Sequence, residues 1–132
     1  MPYKMNPQQF EAVLKLSSQE RNAHFVSKVA DWQQLWGIKS EEGWLVPFIE
    51  SENLKYLPVW PHPEYAQRIA DIHFPDHMAT EISLDEFLSD WLPDMKKDGA
   101  KVGVFPDKDW SIWVMEPDDL AELLYEELSL YE

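Results

Sequence analysis

The sequence has no cysteine, so it forms no disulfide and offers no thiolate to a metal or a substrate. That composition fits a reducing compartment, and a cytoplasmic setting is expected. Its four glycines stand singly, which excludes a Gly-rich phosphate loop. No His-Glu-x-x-His pair is present, and the serines lack a Gly-x-Ser-x-Gly setting. The opening residues MPYKMNPQQF contain no apolar run, and no later run approaches a membrane span. Basic residues are also scarce. Eleven Lys and Arg face 25 Asp and Glu, a net charge of −14 that opposes binding to nucleic acid or to an anionic membrane.

What is present suits one globular domain, residues 1–132. Hydrophobic residues make up 45% and aromatics 14%, enough to build a core, and seven are Trp. The charge is uneven. Residues 1–39 carry five basic and three acidic side chains, so the remainder nets −16. A basic partner protein docking on the acidic part is one reading; a solvated surface is the other.

The most restricted backbone lies at Tyr56–Ala66, YLPVWPHPEYA. Leu54 to Trp60 reads as a short strand, and Pro58, which has no N–H to give a ladder, argues for an edge or a strand end. Pro61 and Pro63 push Trp60 and His62 away from helical geometry. Pro63 then suits the first position of a helix running to about Ile72, with Tyr65, Ala66, Ile69 and Ala70 on one apolar stripe. Two readings are open at His62: a rigid turn presenting an imidazole as ligand, base or hydrogen-bond partner, or a helix cap packed on Trp60. The candidate binding residues are Trp60, His62, Glu64 and Tyr65.

Elsewhere the punctuation is clear. Asn6-Pro7 opens a first helix with Phe10, Val13 and Leu14 on its face. Ser17 and Glu20 form a capping box for a second, whose stripe is Phe25, Val26, Val29 and Trp32, with His24 beside it. Gln34–Lys39 reads as a strand, Ser40–Gly43 as a turn, and Trp44–Ile49 as a strand apolar on both faces and limited by Pro47. His73 and His77 form the one close histidine pair, but Pro75 between them forbids a regular helix, so an exposed loop is expected rather than a metal site. Ala79–Ile82 is a short strand. Ser83 and Glu86 cap the next helix, with Ile82 and Phe87 as its hydrophobic staple; Pro93 kinks it and Gly99 stops it. Lys101–Phe105 and Trp110–Met115 form a hairpin. Pro117 opens a last helix with Leu120, Leu123, Leu124, Leu128 and Tyr131 inward. Residues 116–132 hold seven acids and no Lys or Arg.

The segments WGIKSEEGW, PVWPHPEYA, LDEFLSDWLPDMKKDG and VGVFP resemble, in that order, the bacterial family called domain of unknown function 2750. The resemblance runs from about Asn6 to Leu128, and WPHPEYA is its most specific piece. It implies a small single-domain bacterial protein and supplies no catalytic or binding residue. The order strand–helix–strand–helix–strand is also similar to the N-terminal domain of the SseB secretion-enhancer family.

Together these features predict an α+β fold, a mixed sheet flanked by helices in the order α-α-β-β-β-α-β-α-β-β-α. They point to a non-catalytic binding or protein-interaction module without cofactor or metal. The alternatives are a toxin-neutralising immunity-type protein, whose negative charge would steer a basic toxin, and a small hydrolase or metal-assisted enzyme using His62 or His73 and His77.

Overall fold

The computed structural model describes residues 7–130; Asn6, Tyr131 and the Phe10 side chain lie outside the described residues. The chain is α+β. It opens with α1 (Pro7–Leu14) and α2 (Ser18–Trp32), then β1 (Gln34–Ser40), β2 (Gly43–Trp44), β3 (Phe48–Ile49), β4 (Leu54–Val59), α3 (Pro63–His73) and β5 (Met78–Ser83). A composite helix follows, made of α4 (Leu84–Glu86), a π turn (Phe87–Trp91) and α5 (Leu92–Asp98). The chain ends with β6 (Lys101–Val104), β7 (Trp113–Met115) and α6 (Pro117–Ser129). None of the described helices is long and apolar enough to cross a membrane.

The expected single sheet is two. One has the order β2-β1-β5 and is antiparallel; the other has the order β3-β4-β6-β7, with β4 and β6 parallel and the outer pairs antiparallel. A lone antiparallel bridge joins them, Trp36 N–H to Trp60 O at 2.9 Å and Trp60 N–H to Trp36 O at 2.8 Å. Pro47 explains why Trp44–Ile49 splits into β2 and β3. The segment bonds first to β1, through Leu45 N–H to Ile38 O, and then to β4, through Tyr56 N–H to Pro47 O.

Pro58 sits inside the second sheet rather than at its rim, yet the reasoning from its missing N–H holds locally. Val59 O accepts from Phe105 N–H, so the alternation of the strand turns Pro58 to the opposite side. There it falls between the end of β3 and the Trp36–Trp60 bridge, where no ladder bond is due.

The helix punctuation is realised. Ser17 and Glu20 make both halves of the capping box, Ser83 Oγ accepts from Glu86 N–H, and Gly99 closes α5 at φ 75°. The kink at Pro93 takes the form of the π turn. Leu92 N–H reaches back five residues to Phe87 O, which relieves the clash that the proline ring brings to a regular helix. The buried stripe of α2 is Arg21, Phe25, Val26, Val29 and Ala30. Trp32, expected inside, is 40% exposed, because it is the last residue before left-handed Gln33 turns the chain into β1. The hairpin partner strand starts at Trp113, not Trp110, since Trp110 takes a positive φ of 64° that no strand tolerates. The core gathers between these layers around Phe25, Leu35, Trp60, Tyr65, Phe105 and Leu120.

Gly103 is where the parallel pair is tightest. A Cβ there would lie 2.6 Å from Tyr56 Cδ2 and 3.1 Å from Cε2, while Trp110 Nε1–H holds the Tyr56 hydroxyl at 2.7 Å from above. Gly103→Ala is expected to cost about 1–3 kcal/mol in a denaturant titration, because the ring has nowhere to retreat.

Candidate functional site

The turn between β4 and α3 is built as a structural corner. Trp60 gives its main chain to Trp36 and its Nε1–H to Pro106 O at 2.9 Å. His62 takes the helix N-cap position, and its Nδ1 accepts from Glu64 N–H at 3.2 Å, which leaves the ring proton on Nε2. The imidazole lies 6.3 Å from the Trp36 ring and 6.2 Å from Tyr65. Of the four candidate residues, Trp60, His62 and Tyr65 are buried, at 0%, 2% and 0%, and Glu64 alone is exposed. Three of the four side chains are therefore closed off from solvent, and only Glu64 reaches it.

The histidine pair is divided in the same plain way. His73 Nε2 donates to Lys108 O at 2.8 Å, and His77 Nδ1 meets Asp76 Oδ1 at 2.8 Å. The Phe74 ring packs on both, 6.3 Å from His73 and 5.7 Å from His77. Among the described residues no three His, Asp or Glu side chains converge as metal ligands.

The residue that sequence reading missed is Arg21. Its guanidinium is buried and each of its three nitrogens is engaged: Nε donates to Phe105 O at 2.9 Å, Nη1 to Leu16 O at 2.6 Å and Nη2 to Ser111 O at 2.8 Å, with Asp107 Oδ2 3.5 Å from Nη1. Asp107 in turn uses Oδ1 to accept from the N–H groups of Asp109 and Ser111. Burial lowers the guanidinium from its ordinary value and Asp107 opposes that. A charge on the inward face of an amphipathic helix was the available signal. Arg21→Met should cost about 3 kcal/mol or more in chemical denaturation, since it strands buried carbonyls and Asp107 together. Asp107→Asn, which keeps an oxygen toward the loop amides, should cost clearly less.

His24, one turn further along α2, is a boundary residue whose Nε2 is buried without a hydrogen bond. Burial, aided by Lys28, pushes it down from 6.5 to about 4. The folded state therefore holds His24 neutral while the unfolded chain binds a proton, and stability falls as pH drops from 6.5 toward 4. Melting temperatures across that window should fall more steeply for wild type than for His24→Gln; parallel curves would remove His24 as the cause.

Two grooves flank α5, and a third opening of about 350 Å³ lies between Leu14–Leu16 and Asp107–Asp109. On one side a groove of about 240 Å³ is walled by Val46 from the β2–β3 link, Leu57 from β4, and Trp91, Met95 and Ala100 from the composite helix and its exit. Lys55 and Asp98 cross its rim 3.5 Å apart. Trp44 packs edge-on against the lining residue Trp91 at 5.0 Å, with the Lys39 ammonium 5.2 Å over its ring. Val46 and Phe48, expected to be covered on both faces of a strand, are 40% and 53% exposed here. On the other side a groove of about 550 Å³ runs between α5 and α6 over Leu88, Leu92, Pro93 and Ala121. The Lys96–Asp118 ion pair at 2.7 Å stands at its edge.

No curated protein and no solved structure matches the chain, so nothing in these comparisons supports the architectural similarity to SseB. The family model described as "Protein of unknown function (DUF2750)" matches residues 22–124. That covers all of the motifs, is narrower at both ends than the expected extent from about Asn6 to Leu128, and spans the chain from the first turns of α2 into α6. The chain belongs to the DUF2750 family.

Proposed function

We propose that this protein is a non-catalytic binding module for a partner protein, with its recognition groove between Val46 and α5 rather than at the central turn. The carrying observation is the groove itself. It has mostly apolar walls, a half-exposed Val46 among them with exposed Phe48 two residues on, and an ion pair on its rim exposed enough to rearrange. The Trp60–Tyr65 corner is less suited, because a ligand reaching it would have to displace core side chains. A net charge of −14 favours a partner that carries Lys or Arg beside its apolar anchor. A cytoplasmic, bacterial setting goes with this reading, as does the cysteine-free composition.

A peptide library displayed on phage and selected on the wild-type protein tests it. The expected result is enrichment of sequences with a large apolar residue next to basic ones. Phe48→Ser combined with Met95→Glu should bind those peptides about ten- to a hundredfold more weakly, the worth of one apolar side chain. Enrichment of nothing, or of peptides that bind the variant equally well, would overturn the groove as the recognition site.

A further inference from the structure

The groove is bordered by a backbone edge whose hydrogen-bonding groups are not all used. Leu45 N–H donates to Ile38 O, Pro47 O accepts from Tyr56 N–H, and Ile49 pairs with Leu54. In extended chain, successive peptide groups point to opposite sides. Leu45, Pro47 and Ile49 use the inward side, so Trp44 in β2 and Phe48 in β3 turn their N–H and C=O outward, and Val46, in the link between the two strands, follows by the same alternation. β2 and β3 are each the terminal strand of their sheet, so among the described residues no strand lies beyond them. Pro47, the one residue in the segment without an N–H, faces inward, so the link between β2 and β3 keeps its outward donors.

The same three residues carry their side chains to the groove face. Trp44 packs on Trp91, Val46 lines the groove, and Phe48 stands opposite Lys55 in the β3–β4 register. An extended segment laid along this edge would meet three outward-facing residues, and its alternate side chains would fall on the groove side. Exposed Glu41 and Glu42 precede one end of the edge and exposed Glu50 and Glu52 follow the other, while exposed Asp94 and the Lys55-paired Asp98 flank the helix wall.

Resting on the reading of the groove above, we propose that the partner docks by strand addition. An extended segment pairs with Trp44, Val46 and Phe48, places a large apolar side chain in the groove, and sets Lys or Arg residues against the acids at its ends. A second copy of this chain is a poor occupant, since it would bring another −14 charges to the same edge.

The probe is a capped pentapeptide with leucine between two valines and an arginine at each end. It is titrated against Trp fluorescence beside an analogue N-methylated on the amides that face the edge. Saturable binding of the plain peptide, weakened about tenfold or more by N-methylation, supports strand addition. Val46→Pro, which deletes one outward N–H at a position where an edge strand tolerates proline, should weaken the plain peptide similarly while keeping the wild-type melting temperature. Equal binding of both peptides would overturn strand addition and leave the groove reading standing. Binding of neither would overturn strand addition, and the displayed library then decides the groove on its own. Self-association in sedimentation that Val46→Pro abolishes would assign the edge to a second copy and overturn the proposal.

Discussion

One buried guanidinium ties the helical and sheet halves of this protein together. Arg21 leaves α2 and closes on the carbonyls of Leu16, Phe105 and Ser111, so a single side chain holds the α1–α2 turn to the loop between β6 and β7. That loop supports much of the rest. Phe105 N–H bonds Val59 O at the end of β4, Pro106 O receives the Trp60 indole, and Trp110 holds the Tyr56 hydroxyl. Phe105 and Trp110 both take positive φ to make these contacts. Such a conformation costs non-glycine residues free energy, and it persists because the surrounding bonds overdetermine it. The central WPHP corner rests on this loop and takes its fixed path partly from it.

Proline sets where the sheets stop. Pro47 divides one strand between two sheets, Pro58 turns its missing donor into a gap between neighbours, and Pro93 converts a regular helix into one with a π turn. All three effects were readable as constraints, because a proline announces what its backbone will not do. What it does instead depends on neighbours that a local reading does not see. The same limit explains the rest of the comparison. Ser17, Ser83, His62 and Gly99 act within three residues of themselves, and their roles as caps or stops were legible. The parallel pairing of Tyr56 with Lys101, the grip of Arg21 on residues 84 and 90 positions away, and the separation into two sheets arise from long-range closure. No periodicity encodes them.

The candidate site shows the same division. Restricted backbone and a conspicuous histidine drew attention to Trp60–Tyr65, and the structure shows why those residues are restricted: they form a capped, buried corner. The strand with apolar residues on both faces was the better pointer. Such a pattern reads as a strand covered on two sides. Here the covering on one side is incomplete, so Val46 remains half exposed beside α5 and Phe48, two residues on, is exposed as well. Exposed apolar surface is informative when it is contiguous and lies next to unpaired backbone.

The pairing of β4 with β6 also orders events in time. β4 ends at Val59, and its parallel neighbour begins at Lys101, with two helices and a strand made in between. Translation delivers the helical hairpin first, with Arg21 in place and two of its carbonyl acceptors, Phe105 and Ser111, still unmade. A chain shorter than about residue 111 therefore holds local helices and hairpins but cannot close its core. Acquisition of the fold is concentrated in the last stretch of synthesis, and a nascent chain stalled before that point presents β4 as an open template to whatever strand it meets.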